Sequence, residues 1–128
     1  MKKREAQFQT VFNRTLRNLD ISAAYELKYV PYGKAMPFSA VKFHQIAALR
    51  SVKHGNFLYK IPDTGYSAKP FDCFTLTKTD AFVVIHYEKQ GTVMIDIDAF
   101  IKGKGLSRRK SLTYERAKDI AYLIFEPA

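Results

Sequence analysis

The apolar positions of the chain follow two spacings, one typical of helices and one typical of strands. Three- and four-residue spacing predicts helices over residues 3–18 and 40–53, and a last helix that begins after Thr113. Two-residue alternation and short apolar runs predict strands over residues 22–30, 56–61, 71–77, 81–87 and 92–98. The resulting order, α-β-α-β-β-β-β-α, indicates a mixed α/β domain with a central sheet.

The connections between these elements predict their pairing and their ends. A strand, a helix and a second strand in succession favour a parallel pair with a right-handed crossover, so residues 22–30 are expected beside residues 56–61. Ser39 has the side chain of a helix N-cap. Asp98 is a candidate cap for a further short helix over residues 99–102.

Length, composition and charge fit a single globular domain over residues 1–128. Hydrophobic residues make up 47% of the chain, and no apolar run approaches the roughly 20 residues that span a bilayer. The lone cysteine, Cys73, excludes an intrachain disulfide and a multi-cysteine zinc site, and a reducing, cytoplasmic setting is expected. The net charge of +9 favours a polyanionic partner, DNA or RNA before an anionic membrane surface.

A carboxylate and an ammonium group share one face of the first predicted strand. Glu26 and Lys28 are two residues apart, so both point to the side opposite Tyr25, Leu27 and Tyr29. Two interpretations stay open. The pair is either a solvated ion pair of small energetic value or half of a metal site, in which the carboxylate holds Mg²⁺ and the lysine lies beside the attacked phosphate.

The same two interpretations, a structural role or a part in the metal site, apply to other carboxylates and to one amide. Glu5 lies on the apolar stripe of the first helix, either in water at a frayed helix start or close to the site of Glu26. Gln45 lies on the buried face of the second helix, where its amide needs a partner, either a backbone group or the site. Asp96 and Asp98 form a second acidic pair, for which a structural role is favoured because no lysine stands beside them on their strand.

The basic residues that we expect to contact DNA are spread over predicted loops and helix ends. The segment 102–110 combines glycines with lysines and arginines, and it is predicted as a loop that is either flexible and solvated or in contact with phosphates. The candidate DNA-binding residues of the whole chain are Lys3, Arg4, Lys34, Lys42, His44, Lys69, Lys104, Arg108, Arg109 and Lys110.

Three segments together resemble the PD-(D/E)xK nuclease superfamily. They are Glu26-x-Lys28 on a strand, the run 37–49 that contains Gln45, and Lys69-Pro-Phe-Asp72 at the entrance of a later strand. More closely, the chain resembles the RecU-like and phage Holliday junction resolvases, related to the archaeal Hjc type, over roughly residues 5–100. In the usual family order the aspartate precedes the acid-x-lysine strand, whereas Asp72 follows it, which implies permuted motifs. With another strand order, His86 and Glu88 become candidates in place of Glu26.

The resemblance implies a restriction-endonuclease-like fold, with a mixed central sheet flanked by helices. It implies that Glu26, Lys28, Asp72 and Gln45 form the catalytic set, and that Asp72 and Glu26 hold Mg²⁺, for which Mn²⁺ substitutes. Glu5 is a further candidate ligand. Lys28 would orient the attacking water and stabilise the negative charge of the transition state. Gln45 would hold Lys28 or the water in place.

The activity expected from this resemblance is Mg²⁺-dependent hydrolysis of phosphodiester bonds in branched DNA, above all resolution of four-way junctions by paired nicks. Paired symmetric nicks predict a two-fold homodimer, and a phage-encoded protein would act in the cytoplasm of its bacterial host. Other interpretations stay open. They are a nicking or flap endonuclease of the same superfamily, a non-catalytic basic nucleic-acid-binding module, and an RNA-binding domain that stacks bases on Tyr29, Tyr32 and Tyr66.

Overall fold

A computed structural model of the chain describes residues 7, 8, 12, 23–60 and 73–125, with the backbone alone at residues 59, 60, 73 and 74. Its strands are β1 Ala24–Val30, β2 Met36–Pro37, β3 Asn56–Lys60, β4 Cys73–Thr77, β5 Ala81–Tyr87, β6 Gly91–Asp96, β7 Ser111–Leu112 and β8 Leu123–Phe125. Its helices are α1 Phe43–His54, α2 Ile97–Leu106 and α3 Tyr114–Asp119, and a 3₁₀ turn covers Phe38–Ala40. Within the helix predicted near the N-terminus, the described residues Gln7, Phe8 and Phe12 are helical.

The central sheet has four strands in the order β1-β5-β6-β8. β1 pairs with β5 in parallel, and β6 pairs antiparallel with both β5 and β8. Elsewhere in the described part of the chain, β3 pairs with β4 and β2 pairs with β7. The fold is therefore mixed α/β with a mixed central sheet, which confirms the class predicted from the order of elements.

β5 lies inside the sheet because its sequence is apolar on both faces. Val83, Val84 and Ile85 are successive residues, so they point to alternate faces, and all three are 0% exposed. A strand that is buried on both faces reads as a continuous apolar run, whereas a half-exposed strand alternates. The same argument places β6 beside it, since Val93, Met94 and Ile95 are equally buried.

One face of the sheet packs against the helices α1, α2 and α3. Val83 and Ile85 of β5 point to this face and share one apolar cluster with Leu49 of α1, Phe100 of α2 and Ala117 of α3. The helices are therefore held to the sheet by burial of apolar area, the largest stabilising term in a domain of this size.

The opposite face of the sheet carries a second apolar cluster. Phe82, Val84 and Met94 point to this side and are buried together with Phe8 and Phe12. The described part of the N-terminal helical segment thus covers the face that the three other helices leave open. The central strands are enclosed on both sides by helical residues.

The parallel partner predicted for β1 is wrong. β1 pairs with β5, and β3 pairs antiparallel with β4 instead. The crossover rule still applies to the sheet, because α1 follows β1 and precedes its parallel neighbour, with β3 and β4 inserted before β5. β5 offers two apolar faces, whereas Leu58 of β3 is 57% exposed, so β3 lacks the burial that an inner position requires.

The start of α1 also differs from the prediction, since Ser39 is not its N-cap. Ser39 lies in the 3₁₀ turn, and α1 begins at Phe43 with Lys42 as its N-cap. The backbone N–H of Lys42 donates a hydrogen bond of 2.8 Å to the amide Oε1 of Gln45. The helix start is thus stabilised by a side chain three residues further on, half of the reciprocal arrangement called a capping box.

α2 begins earlier and ends later than the sequence predicts. Asp96, rather than Asp98, caps it: Oδ2 of Asp96 accepts hydrogen bonds from the backbone N–H groups of Asp98 and Ala99, at 3.0 and 3.4 Å. The helix continues to Leu106, so the first half of segment 102–110 is helical rather than a loop. Burial of apolar side chains in its first turn stabilises the helix despite its two glycines.

The last predicted helix is shorter than expected. Thr113 caps α3 as predicted, since its Oγ1 accepts a hydrogen bond from the N–H of Arg116 at 3.3 Å. α3 then ends at Asp119, and the residues beyond it form the strand β8 beside β6. Ile124, predicted on a buried helical stripe, is 36% exposed on this strand. Helical and strand spacings overlap in short apolar runs, which is why the pattern fails here.

The first residue of β6, Gly91, leaves no room for a side chain. An added Cβ atom would lie 2.7 Å from the hydroxyl of Tyr114 and 3.0 Å from the carbonyl oxygen of Phe125. We expect Gly91→Ala to lower the free energy of unfolding by about 1–3 kcal/mol, the usual cost of overpacking. Urea-induced unfolding measures this change.

Gly105→Ala is the matched control, because Gly105 lies in α2 and an added Cβ would meet nothing within 4 Å. Alanine is the better helix former by up to about 1 kcal/mol, so this variant should be more stable than the parent protein. If both substitutions changed the stability in the same direction, the close approach at Gly91 would not be the cause.

Candidate functional site

Glu26 and Lys28 lie on β1, an edge strand of the central sheet within the described residues. Their side chains point to the face that α1 covers, because Tyr25, Leu27 and Tyr29 pack with the cluster of the opposite face. The Nζ atom of Lys28 lies 3.3 Å from Oε1 of Glu26. The shared face predicted from the two-residue spacing is therefore confirmed.

This pair is largely withdrawn from solvent. The side chains of Lys28 and Glu26 are 18% and 26% exposed. Their register partners on β5 are Ile85 and Val83, so the two charges stand at the rim of the apolar cluster under α1. An ion pair near the surface contributes at most about 1 kcal/mol to stability, which is a weak reason to place two charges there.

Gln45 lies at the first turn of α1, and its amide oxygen is engaged locally. Oε1 accepts the hydrogen bond from the backbone N–H of Lys42 described above, so of the two partners predicted for this amide the backbone group is observed. The interaction fixes the position at which α1 begins. A part for Gln45 beside Lys28 stays a prediction.

Several predicted site residues lie outside the described residues. They are the candidate ligands Asp72 and Glu5, the basic residues Lys3, Arg4 and Lys69, and Tyr66. β4 begins at Cys73, directly after Asp72 in the sequence. The pairing of Asp72 with Glu26 in one metal site therefore stays a prediction.

His86 and Glu88, the alternative candidates, lie at the far end of β5 from Glu26. His86 pairs in register with Tyr29 and shares its face, opposite to the face of Lys28. Its ring stacks on Phe8 with centroids 4.9 Å apart, and burial lowers the pKa of the imidazole, while Glu88 opposes that effect. The carboxylate of Glu88 accepts hydrogen bonds from the hydroxyl of Tyr29 and from the backbone N–H of Tyr32, in the loop after β1. His86 thus lies on the face opposite to Glu26 and Lys28.

An ionic cluster joins α1 to α2 at the end of the sheet where β5 begins. Nζ of Lys53 lies 2.6 Å from Oδ1 of Asp96 and 2.9 Å from Oδ2 of Asp98. Nε2 of His54 lies 2.7 Å from the same Oδ2 atom. The cluster places the ammonium group of Lys53 at the C-terminus of α1 and carboxylates at the N-terminus of α2, which both helix dipoles favour.

The ionic cluster shifts the titration of its members. The hydrogen bond from Lys53, together with that from His54, lowers the pKa of Asp98. The hydrogen bonds to Asp96 and Asp98 raise the pKa of Lys53. The sequence of the strand alone does not reveal Lys53 as the partner of Asp96 and Asp98, because its ammonium group comes from the end of α1, more than forty residues away. Among the described residues, no three His, Cys, Asp or Glu side chains are grouped as metal ligands.

The described basic residues of the DNA-binding prediction gather at the opposite end of the sheet. β1 and β5 both end there, and α1 begins there. The backbone N–H of Phe38 donates a hydrogen bond of 2.9 Å to the carbonyl oxygen of Lys110, which joins the segment after β1 to the loop after α2. We call this surface the basic end, and its residues are Lys34, Lys42, His44, Lys104, Arg108, Arg109 and Lys110.

The basic end also carries large exposed side chains, of which Tyr32 was predicted to stack bases, whereas Phe43 and Leu106 were not predicted. Phe43 is 86% exposed at the first residue of α1, and Leu106 is 74% exposed at the last residue of α2. Tyr32, after β1, is 60% exposed, with Nζ of Lys89 5.7 Å from its ring centroid. Aromatic rings among lysines and arginines are typical of surfaces that bind unpaired nucleotides. The ring of Tyr29, which was also predicted to stack bases, instead packs against His86 beside the second apolar cluster.

Comparison of the chain with models of known protein families, with curated proteins and with solved structures gives no match. Among the described residues, no helix is long and apolar enough to cross a membrane. The resemblance to the PD-(D/E)xK nucleases stays a prediction that rests on the residues quoted for it.

The carboxylate of Asp98 should make the stability of the fold depend on acid pH. Its pKa lies below the ordinary value of 3.8, so its stabilising effect is present above that value and is lost as the pH falls through the lowered pKa. We expect Asp98→Asn to lose less free energy of unfolding than the parent protein between neutral pH and a pH well below 3.8. Urea-induced unfolding at both pH values measures the difference.

Glu115→Gln is the control for this prediction. Glu115 is 77% exposed in its pair with Lys118, so its removal should leave the pH dependence nearly unchanged. An Asp98→Asn variant with the same acid sensitivity as the parent protein would contradict the stabilising effect assigned to the ionic cluster.

Proposed function

We propose that the protein is a Mg²⁺-dependent DNA endonuclease with a restriction-endonuclease-like arrangement, acting on branched DNA and above all on four-way junctions. The observation that carries the proposal is the half-buried pair of Glu26 and Lys28 on an edge strand. A carboxylate and an ammonium group held 3.3 Å apart are the groups that bind a hard cation and a phosphate oxygen side by side. The basic end adds a surface that attracts the phosphate backbone.

The carboxylate group that Glu26 supplies on β1 is of the chemical type that binds Mg²⁺. Mg²⁺ prefers oxygen ligands and is commonly held by one or two carboxylates together with substrate phosphates. Glu26 would supply one carboxylate, and Asp72 would supply another, with Glu5 as a further candidate. The metal, when bound, polarises the phosphodiester and lowers the pKa of a coordinated water.

Lys28 would act on the phosphate itself. Its ammonium group stands at the rim of an apolar cluster, where less water screens it than at an open surface. There it can donate hydrogen bonds to a non-bridging phosphate oxygen and stabilise the charge that develops during attack. Glu26 keeps the ammonium in place before the substrate arrives, so little reorganisation is needed.

The basic end would hold the DNA without reading its sequence. Its lysines and arginines are exposed, and contacts of such groups with phosphates position a duplex but do not discriminate between bases. Recognition of a junction by shape requires contacts of this kind. Cutting both strands symmetrically would require a two-fold homodimer. The proposed setting of this activity is the cytoplasm.

A second candidate is a non-catalytic nucleic-acid-binding module. It is favoured by the position of Gln45, whose amide oxygen caps α1 and so has a sufficient structural reason to be present. This candidate requires only the basic end. It predicts DNA binding that is indifferent to Mg²⁺ and to the removal of Lys28.

Cleavage of a labelled synthetic four-way junction tests the two candidates. We expect paired symmetric nicks that require Mg²⁺ or Mn²⁺ and stop in EDTA, with a linear duplex as the poor substrate. Lys28→Met and Asp72→Ala should each reduce the cleavage rate on the order of 10²- to 10³-fold, the usual cost of losing one group that stabilises transition-state charge. Nicked flaps with intact junctions would instead identify a flap endonuclease.

Lys53→Met is the matched control, since Lys53 is also a partly buried lysine paired with carboxylates. It should lower the stability of the fold while folded protein still cuts at the parental rate. Tight junction binding by the parent protein without cleavage in either metal would refute the enzyme and leave the binding module.

Binding to DNA should depend steeply on salt, because each phosphate contact releases a counterion. We expect Lys42→Ala to weaken binding to junction and duplex alike and to reduce the slope of log affinity against log salt by about 1. Lys118→Ala is the comparison, since Nζ of Lys118 lies 3.2 Å from a carboxylate oxygen of Glu115. Equal slopes for the two variants would contradict the assignment of Lys42 to the DNA-contacting surface.

A further inference from the structure

Two surface pockets adjoin at the basic end, and both reach Phe38 and Ser107. The first, which we call the basic pocket, encloses about 330 Å³, and its cationic walls are Lys104, Arg108, Arg109 and Lys110. The second, which we call the apolar pocket, encloses about 400 Å³, and its apolar walls are Leu106, Leu112 and Ile120. Both volumes stand at the lower end of the range of about 300–1,000 Å³ that ligand pockets cover, so each has room for one small group.

The basic pocket has the composition of an anion site. None of the described residues that line it is acidic, and none of its four cations forms an ion pair with a described carboxylate. Arginines bind phosphate through paired N–H donors, and lysines bind it as point charges. The hydroxyl group of Ser39 adds a neutral donor at the same walls. These groups together suit a phosphate rather than a carboxylate on an apolar molecule.

The backbone that carries these cations is fixed by local hydrogen bonds. Oγ of Ser107 accepts a hydrogen bond of 3.1 Å from the N–H of Arg109 and donates one of 3.0 Å to the carbonyl oxygen of Arg109. The carbonyl oxygen of Lys110 accepts the N–H of Phe38 at 2.9 Å. The backbone of the basic pocket is therefore ordered before a ligand arrives, which lowers the entropic cost of binding.

In the apolar pocket, a flat ligand group would find both apolar contact area and polar partners. Leu106, at the end of α2, is 74% exposed at the mouth of this pocket, where it offers apolar area to a bound group. Arg116 and Asp119 of α3 line the same pocket and offer a donor and an acceptor. An apolar wall with a donor and an acceptor at its edge suits the face and the edge of a nucleobase.

We propose that the two pockets together bind one phosphorylated nucleotide unit, with the phosphate in the basic pocket and the base in the apolar pocket. The shared residues Phe38 and Ser107 place the two groups next to each other, as they are in a nucleotide. The unit is either a free nucleoside monophosphate or the phosphorylated, unpaired end of a DNA strand. This inference rests on the nucleic-acid partner proposed above, but it does not depend on cleavage.

Nuclear magnetic resonance titration of the ¹⁵N-labelled protein in EDTA tests the proposal without any metal or catalysis. Deoxyadenosine 5′-monophosphate should shift the amide signals of both pockets, including those of Arg109 in the basic pocket and Ile120 in the apolar pocket. Inorganic phosphate should shift the signals of the basic pocket alone, and deoxyadenosine should shift those of the apolar pocket. A monophosphate that binds no tighter than inorganic phosphate would overturn the joint site.

Two variants on the pocket walls and one control sharpen the result. Arg108→Ala should weaken binding of the monophosphate on the order of tenfold, as expected for one lost charge-assisted hydrogen bond. Leu106→Ser should weaken the monophosphate but leave inorganic phosphate unchanged. Lys102→Ala removes an equal charge from the exposed surface of α2 outside both pockets, so it should bind as the parent does. Equal losses in Lys102→Ala and Arg108→Ala would reduce the effect to net charge and refute the site.

Short oligonucleotides distinguish the two sources of the nucleotide. A 5′-phosphorylated strand that binds tighter than both its 5′-hydroxyl counterpart and the free monophosphate identifies a strand end as the ligand. A free monophosphate that binds as tightly as the phosphorylated strand identifies a free nucleotide. Equal binding of phosphorylated and hydroxyl strands, with no shift at the pockets, would refute both. The cleavage experiment is separate, so junction cutting without nucleotide binding would refute this inference and spare the nuclease.

Discussion

The burial of β5 on both faces is the constraint on which the rest of the structure depends. Since Val83, Val84 and Ile85 all need apolar neighbours, apolar side chains must cover both sides of the sheet, and helical residues supply them. β1 gains its position by pairing with this strand, and α1 must then cross one face to reach the start of β5. Among the described residues, the edge position of Glu26 and Lys28 follows from the same requirement, because the inner places of the sheet go to strands that are buried on both faces.

The antiparallel course of α1 and α2 over the sheet sorts the charges of the domain. α1 ends where α2 begins, and there Lys53 pairs with the carboxylates of Asp96 and Asp98. At the other end, α2 leads into the loop that carries Arg108, Arg109 and Lys110, beside the segment that precedes α1. The paired charges serve packing and the exposed charges are available to a partner. The two groups are separated by the length of the helices.

Local patterns in the sequence are sufficient for much of the fold but not for its long-range pairing. The apolar run of β5 and the cap at Thr113 depend on neighbouring residues, and both are read correctly. The partner of β1 and the contact between Lys53 and Asp96 join residues far apart in the chain, so no local pattern contains them. The shared face of Glu26 and Lys28 follows from strand geometry, whereas the pockets require the meeting of two loops, which only the folded chain provides.

Among the described residues, exposed cations gather at the basic end and paired charges at the other end, so these residues contribute an electric dipole moment along the direction of β1. As such a molecule approaches a polyanion, the electric field of the polyanion exerts a torque on it. The torque turns the cationic end toward the polyanion before contact. Orientation of this kind raises the fraction of collisions that are productive, so it acts on the association rate more than on the lifetime of the complex. The antiparallel helix pair that covers the core therefore also determines which surface the molecule presents first.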